Sequence, residues 1–292
     1  MSKMNPLAQY SKIEVLFTKL ISNDVIKYDS DVVSSVKCGV CARSARDEIM
    51  LNTADALIGG DAIVKVIENC VPNVKDASKL YVNDVEQLLV AIKLATKDES
   101  YDINVTCPEC DHLGGFSRDL NYLIQTATSF EEQPSFTMDS GLVVYFKPHT
   151  WEEYSEFGTR MFAQHSRSKA IDNDAEMSSE DKQKIFIDVF EAMTQLNYDM
   201  LCASIDKVVT PDGIEVTEKE FISDWVSTLS KADLKGVKEE SDSVSEIGIS
   251  HKMDVQCSNC NHEWELTGLR YDPSHFFGLG FSSAPQKKSQ KQ

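Results

Sequence analysis

Apolar positions recur at helical spacing through much of this chain, interrupted by shorter stretches with a period of two. Leu7 to Ile21 reads as an opening helix that ends in the turn-like Ser22-Asn23-Asp24. A short β-prone run follows from Asp31 to Cys38. Ala45 to Ile58 returns to helical spacing through Ile49, Met50, Ala54 and Leu57, and Gly59-Gly60 is its stop signal. Asp61 is placed to cap a helix from Ala62 to Cys70, which must end before Pro72. Asn83 or Asp84 is expected to cap another, with Val85, Leu88, Leu89, Ile92 and Leu94 on or near one face.

At Tyr101 the period changes. Ile103, Val105 and Cys107 alternate with polar residues, which predicts a strand, and Gly114 to Arg118 predicts its return. Asp119 to Ala127 reads as a short helix, and Ser135 to Phe146, split by Asp139-Ser140-Gly141, as a β-hairpin. Helices are predicted over Trp151 to His165 and Glu180 to Ser204, with the polar, acidic stretch Arg167 to Ser179 as an exposed linker between them. Pro211-Asp212-Gly213 marks a second hairpin, between Lys207-Val-Val and Ile214-Glu-Val. Two further helical stretches precede a strand from Lys252 to Cys257, and the tail from Ser282 reads as disordered.

Composition narrows the class. The chain has 292 residues, is 41% hydrophobic and 26% charged, and carries a formal net charge of −18. It is long enough to bury a substantial core, and its composition is that of a globular protein. The acidic balance argues against a protein that coats nucleic acid, since that binding depends on Lys and Arg neutralising phosphates. Apolar runs are broken by charges well short of the roughly 20 residues that span a bilayer. The N-terminal residues lack the apolar core of a signal peptide, so a cytoplasmic location and a reducing environment are expected.

In that setting cysteines suggest metal binding more than disulfides. Six of the eight fall in Cys-x-x-Cys pairs, while Cys70 and Cys202 stand alone on predicted helices and read as core residues. Two pairs share their context: Ile103-Asn-Val-Thr-Cys107-Pro-Glu-Cys110-Asp-His112 and Met253-Asp-Val-Gln-Cys257-Ser-Asn-Cys260-Asn-His262. Each is an alternating strand running into a tight turn, the build of a zinc knuckle. Together Cys107, Cys110, Cys257 and Cys260 would give one structural zinc four soft ligands in a closed tetrahedral site. Reduced, metal-free cysteines or separate sites are the alternatives, and His112 and His262 read as neighbours of the site or surface residues, with replacement of a cysteine ligand by either left open. Shared coordination would staple the ends of a long intervening region, a loop closure that metal binding, worth roughly 10 kcal/mol or more, can offset. The third pair, Cys38 and Cys41, has no partner pair and reads as two small residues in a turn; a thiol oxidoreductase is the rival reading.

Catalytic signatures are lacking. His262-Glu-Trp-Glu-Leu266 opens like a metalloprotease helix but has Leu266 where the second His belongs. No P-loop, Gly-x-Ser-x-Gly or dinucleotide-binding fingerprint occurs, and Pro108 lies inside the Cys-x-x-Cys rather than before it as a deaminase requires. Trp151, Trp225 and Trp264 sit in periodic contexts that suggest core. Four closed thiolates would leave no open position for substrate. A non-enzymatic protein is expected.

Several blocks, taken in order, resemble the T-even-type bacteriophage baseplate hub and hub-assembly protein family. They are Asp47 to Ala62, Val64 to Pro72, Leu88 to Ala95, Val105 to Cys110, Leu201-Cys-Ala-Ser-Ile with Thr210-Pro-Asp-Gly213, and Cys257 to Trp264 with Phe276-Phe277. The resemblance covers roughly residues 45 to 277 and implies a non-enzymatic role in contractile-tail morphogenesis. The implied partners are hub, spike or tape-measure proteins, with no nucleic acid and no stable membrane anchor. The implied setting is the cytoplasm of the infected bacterium, with incorporation in the virion baseplate open. A zinc-ribbon regulator of phage transcription is the alternative, although only Lys252 and Arg270 place positive charge near the second knuckle.

The expectation is therefore a helix-rich α+β fold with short β-hairpins and two Cys-x-x-Cys knuckles forming a zinc-ribbon-like staple. Its expected parts are an N-terminal helical arm over 1–30, a zinc-stapled module over 31–128 plus 250–278, an inserted hairpin and helical region over 129–249, and a disordered tail over 279–292.

Overall fold

The computed structural model describes residues 14–51, 60–173, 177–269 and 271. The tail over 279–292, residues 1–13 of the expected arm, and the second half of the helix expected over Ala45 to Ile58 lie outside the described residues.

A central helix organises the larger core. Helix α3 (Val82–Ala95) buries Val85, Leu88, Leu89, Val90, Ala91, Ile92 and Ala95, so it is apolar nearly all round, as a helix enclosed by other elements must be. Around it lie β1 (Glu14–Lys19), β2 (Lys37–Cys41), α1 (Ala45–Leu51) and α2 (Asp61–Cys70). Each fully buried aliphatic side chain here contributes about 1.5–3 kcal/mol. The two polar residues of its first turn, Asn83 and Asp84, are both answered. Ser22 N–H and Tyr28 O–H donate to Asp84 at 3.1 and 2.6 Å, and the Asn83 amide donates to the carbonyls of Val244 and Ile247.

Those contacts correct the expected caps. Helix α3 starts after Tyr81 with no side-chain cap, because Asn83 and Asp84 are spent inside the protein. Asp61 is likewise the first residue of α2 and not its cap; the N-cap is Gly60, at φ 76°. A Cβ there would sit 2.8 Å from Ser155 Oγ and 3.0 Å from Trp151 Nε1, so glycine is required on both counts.

Strand β1 replaces the helix expected over Leu7 to Ile21, in the part the structure describes. Leu16, Thr18 and Leu20 turn inward at period two while Val15 and Phe17 face out, and β1 pairs antiparallel with β2. The run Val-Leu-Phe-Thr suits a pleated, half-buried surface better than a helix. Strand β2 begins at Lys37, later than the β-prone run expected over Asp31 to Cys38. Cys38 and Cys41 lie within it, fully buried, and not in a turn.

The first knuckle hairpin, β3 (Ser100–Thr106) and β4 (Leu113–Asp119), pairs in register from Ser100 opposite Asp119 to Thr106 opposite Leu113. Helix α4 (Leu120–Gln125) follows, capped by the Asp119 carboxylate. Strands β5 (Ser135–Thr137), β6 (Val143–Phe146), β7 (Ile205–Val209) and β8 (Glu215–Val216) form a four-stranded antiparallel sheet in that order. Both expected hairpin turns occur, at Gly141 and Gly213, each with positive φ. Between β6 and β7 the chain makes a long antiparallel helical pair, α5 (Trp151–Asn173) and α6 (Ser179–Ser204). The exposed linker expected over Arg167 to Ser179 is helical as far as Asn173, because Ile171 is buried against α6 and Arg167 reaches Asp188 at 3.7 Å.

Helices α7 (Lys219–Ser227) and α8 (Lys231–Ser245) cover the sheet, making a second core from Phe130, Val144, Phe146, Ile205, Ile222, Val226, Val237 and Val244. Ile21 and Ile26 enter this core while Leu20 enters the first, so residues 20–26 bridge the two. The chain then returns beside its departure point: Thr128 N–H donates to Gly248 O at 3.0 Å and Gly248 N–H to Thr128 Oγ1 at 2.9 Å. Gly248 has φ 122°, and a Cβ there would meet Ile21 Cδ1 at 2.8 Å. The second knuckle hairpin, β9 (Met253–Gln256) and β10 (Glu263–Leu266), closes the described fold. The whole is helix-rich α+β with short antiparallel hairpins.

Candidate metal centre

The two Cys-x-x-Cys turns have the same backbone. In the first, Cys107 N–H donates to His112 O at 2.8 Å and Asp111 N–H to Cys107 O at 3.0 Å. In the second, Cys257 N–H donates to His262 O at 2.8 Å and Asn261 N–H to Cys257 O at 2.9 Å. Asp111 and Asn261 both take left-handed φ, 55° and 58°. Asp and Asn are the non-glycine residues that tolerate this conformation best. The recurring Cys-x-x-Cys-Asp/Asn-His spelling is therefore the sequence form of one turn, made twice.

The turns face each other. Cys107 Sγ lies 3.7 Å from Cys260 Sγ, and Cys110 Sγ lies 3.6 Å from Cys257 Sγ; all four sulfurs fall within 4.8 Å of one another. A regular tetrahedron with metal–sulfur bonds of about 2.3 Å has edges of roughly 3.8 Å, so the arrangement is the size a closed four-thiolate site requires. Cys107 and Cys257 are buried, Cys110 is half-buried and Cys260 exposed. The four cysteines are thus positioned to form a metal-coordinating knuckle pair.

The thiols are electrostatically frustrated as bare groups. Donation by the Asn259 side chain, then by the His112 backbone, pulls Cys110 down to about 6. The His262 backbone N–H also favours a thiolate at Cys260, but the sulfurs of Cys110, Cys257 and Cys107 crowd it and push it up to about 12. One thiolate forms readily and opposes the next. A soft dication removes that conflict and holds all four deprotonated, so the donor set fits such an ion.

Neighbouring side chains fix the hairpins to each other and to the body. Arg118 donates to Lys252 O at 2.5 Å, and Phe116 meets Trp264 edge to face with centroids 6.0 Å apart. His262 stacks on Trp264, and His112 Nε2 lies 3.4 Å from Ser258 Oγ, so each histidine contacts the knuckles from outside the sulfur cluster. Tyr271 O–H donates to Ser250 O, and His251 meets Glu86 of α3 at 2.9 Å. The roles of Asn259, Arg118 and Phe116 escaped the sequence reading. Only the Asp and Asn after each second cysteine carried a local signal.

The remaining cysteines are elsewhere. Burial pushes the Cys38 thiol up to about 12, which suppresses the thiolate that an oxidoreductase needs. Cys70 is a core residue, and Cys202 is half-buried beside the second core.

A protein-family model described as T4 bacteriophage base plate protein matches residues 12–278 of the chain. The chain belongs to that family. The match takes in both knuckles and all that lies between them. No curated protein and no solved structure matches. Members of the T4 bacteriophage base plate family are structural, non-catalytic components, so this chain's role is structural or in assembly of the tail baseplate, in contact with other baseplate or tail components. Among the described residues no helix is long and apolar enough to cross a membrane.

Proposed function

We propose that this baseplate-family chain is a hub subunit or hub-assembly factor whose shape is fixed by one structural zinc on Cys107, Cys110, Cys257 and Cys260. The observation that carries the zinc reading is the cluster of four sulfurs within 4.8 Å, contributed by two turns of identical hydrogen bonding. Zinc suits four thiolates in tetrahedral array and supplies cross-linking, not chemistry, in such a closed site. This chain's own residues do the rest: Asn259 and the turn amides donate to the sulfurs, and Arg118 and the Phe116–Trp264 contact hold the two hairpins together.

The proposed organisation has a zinc-stapled module over 31–128 plus 250–278 and an insertion over 129–249. It is supported by the reciprocal Thr128–Gly248 hydrogen bonds, which bring the ends of the insertion together. Zinc then locks the second hairpin, after the insertion, to the first, before it. The rigid module presents surfaces to hub, spike or tape-measure proteins, in the cytoplasm of the infected bacterium and, if retained, in the virion baseplate.

The test is an affinity pull-down of the tagged chain from phage-infected cells, with mass spectrometry of what co-purifies and metal analysis of the same sample. Stoichiometric hub, spike or tape-measure proteins and one zinc per chain are expected. RNA polymerase subunits or nucleic acid in their place overturn the hub reading, and a metal-free protein with full thiol reactivity overturns the zinc.

A further inference from the structure

The α5–α6 pair has two unlike sides. On one, Arg160 meets Asp199 at 3.1 Å and Arg167 meets Asp188 at 3.7 Å. On the other, about half a helical turn away from those pairs at 100° per residue, stand Phe162, Phe186 and Phe190. They are 67%, 60% and 65% exposed, far more than such rings are when they belong to a core. Half-buried Met161 and Met193 lie along the seam, and a groove of about 230 Å³ opens beside Phe186 and Ile171.

The pair also projects. Residues of the two main cores stop at Tyr154 on α5 and resume at Tyr198 on α6, so the stretch between packs chiefly against itself. At 1.5 Å per residue that leaves roughly 25 Å of helical hairpin standing off the body.

We propose that a second copy of this chain docks on this aromatic side, the two hairpins forming a four-helix contact about a two-fold axis. Charge and area select that occupant. The protein carries −18 overall, yet on the hairpin Arg160, Arg167, Lys169, Lys182 and Lys184 offset Glu180, Asp181, Asp188 and Glu191, so residues 157–171 and 179–191 together are close to neutral. Two copies can therefore meet here without bringing their acidic excess face to face. Three rings of roughly 150–250 Å² each, about two-thirds exposed, offer about 300–500 Å² per copy. Doubled by symmetry, and with Ile187 and the methionines added, the contact reaches the roughly 1,000 Å² that a specific interface needs. The proposal is independent of the metal reading, since among the described residues the apolar cluster of the hairpin, Phe157, Leu196 and Ala203, contains no knuckle residue.

Sedimentation velocity on the purified full chain from about 1 to 100 µM tests it. A monomer–dimer equilibrium is expected, with association weakened at least tenfold in F186S/F190S while the circular dichroism spectrum and melting temperature stay as in wild type. Because these side chains are exposed, the variant is not expected to misfold. Gln195→Lys, on the ion-paired side, is expected to dimerise as wild type does. A wild-type monomer across the whole range overturns the proposal, as does a dimer indifferent to F186S/F190S. Monomeric protein whose Phe186 and Phe190 are protected only by another tail component also overturns it and assigns the face to that component.

Discussion

The helix α3 region and the paired knuckles are held together in different ways. Eleven of the fourteen residues of α3 are buried, and its surroundings supply aliphatic contacts on every side. The knuckle hairpins alternate between half-buried and exposed positions; in β9 and β10 only Val255 is buried. Burying Val255 and two or three partial neighbours offsets little of the entropy of ordering the second hairpin, at about 1–2 kcal/mol per residue for the backbone alone. A two-stranded ribbon with so small a core is marginal by itself. What the α3 region obtains from apolar area, the knuckles obtain, on the proposed zinc reading, from a cross-link.

The sharpest way to break the comparison is to remove the cross-link. Chelation, or Cys107→Ser or Cys257→Ser, is expected to abolish zinc binding worth roughly 10 kcal/mol of apparent free energy. Amide exchange in β3, β4, β9 and β10 should then rise by orders of magnitude while α3 stays protected. Equal metal content and unchanged exchange in both variants would sink the idea. The reverse experiment acts on α3. Leu88→Ala, at a fully buried position, is expected to cost about 2–5 kcal/mol in global unfolding, read from denaturant midpoints at constant m-value. Metal content of the folded fraction should remain at one ion per chain. A loss below about 1 kcal/mol would mean that α3 is less enclosed than its burial indicates.

Asp84 refines the picture of α3 as an apolar centre. Burial holds its carboxyl above the usual carboxylate range, against the lowering pull of the Tyr28 hydroxyl and the Ser22 N–H. The native state therefore keeps a proton that the unfolded chain releases near pH ~3.9. Asp84 favours folding most below that value, and its contribution falls as pH rises through the folded-state pKa. Asp84→Asn cannot ionise, so its stability should decline less than wild type between about pH 4 and 7. Parallel profiles would show that Asp84 ionises normally.

Legibility followed the same division. The knuckles were readable because their chemistry is local. Cys, two residues, Cys, then Asp or Asn and His specify one turn, and two copies specify a pair. That the sulfurs meet is a tertiary fact, but the shared spelling anticipated it. The hairpins at Gly141 and Gly213 were readable for the same reason, since positive φ leaves a residue signature. The misreadings came where a local signal was overruled from afar. Asn83 and Asp84 look like caps, yet α8 and the Ser22–Tyr28 loop claim their side chains. Glu14 to Lys19 carries enough apolar residues for either period, and pairing with β2 decides for strand. The Cys38–Cys41 spacing suggested a turn only because a Cys-x-x-Cys usually makes one; here the cysteines are small buried strand residues.

The stretch Arg167 to Asn173 gives the smallest effect and the finest test of that lesson. Its polarity suggested a linker, and its helicity has two visible supports: the buried Ile171 and the Arg167–Asp188 pair. They are not equal. The ion pair is half exposed on both partners and spans 3.7 Å, so screening and side-chain entropy leave it about 0–0.5 kcal/mol. Burial of Ile171 contributes about 2 kcal/mol. Arg167→Ala should therefore leave amide protection in residues 167–171 within a factor of about three of wild type, whereas Ile171→Ala should open the same amides roughly tenfold or more. If Arg167→Ala frays the helix as much as Ile171→Ala does, electrostatics and not burial extends α5. The polar composition that suggested a linker would then itself be what holds the helix.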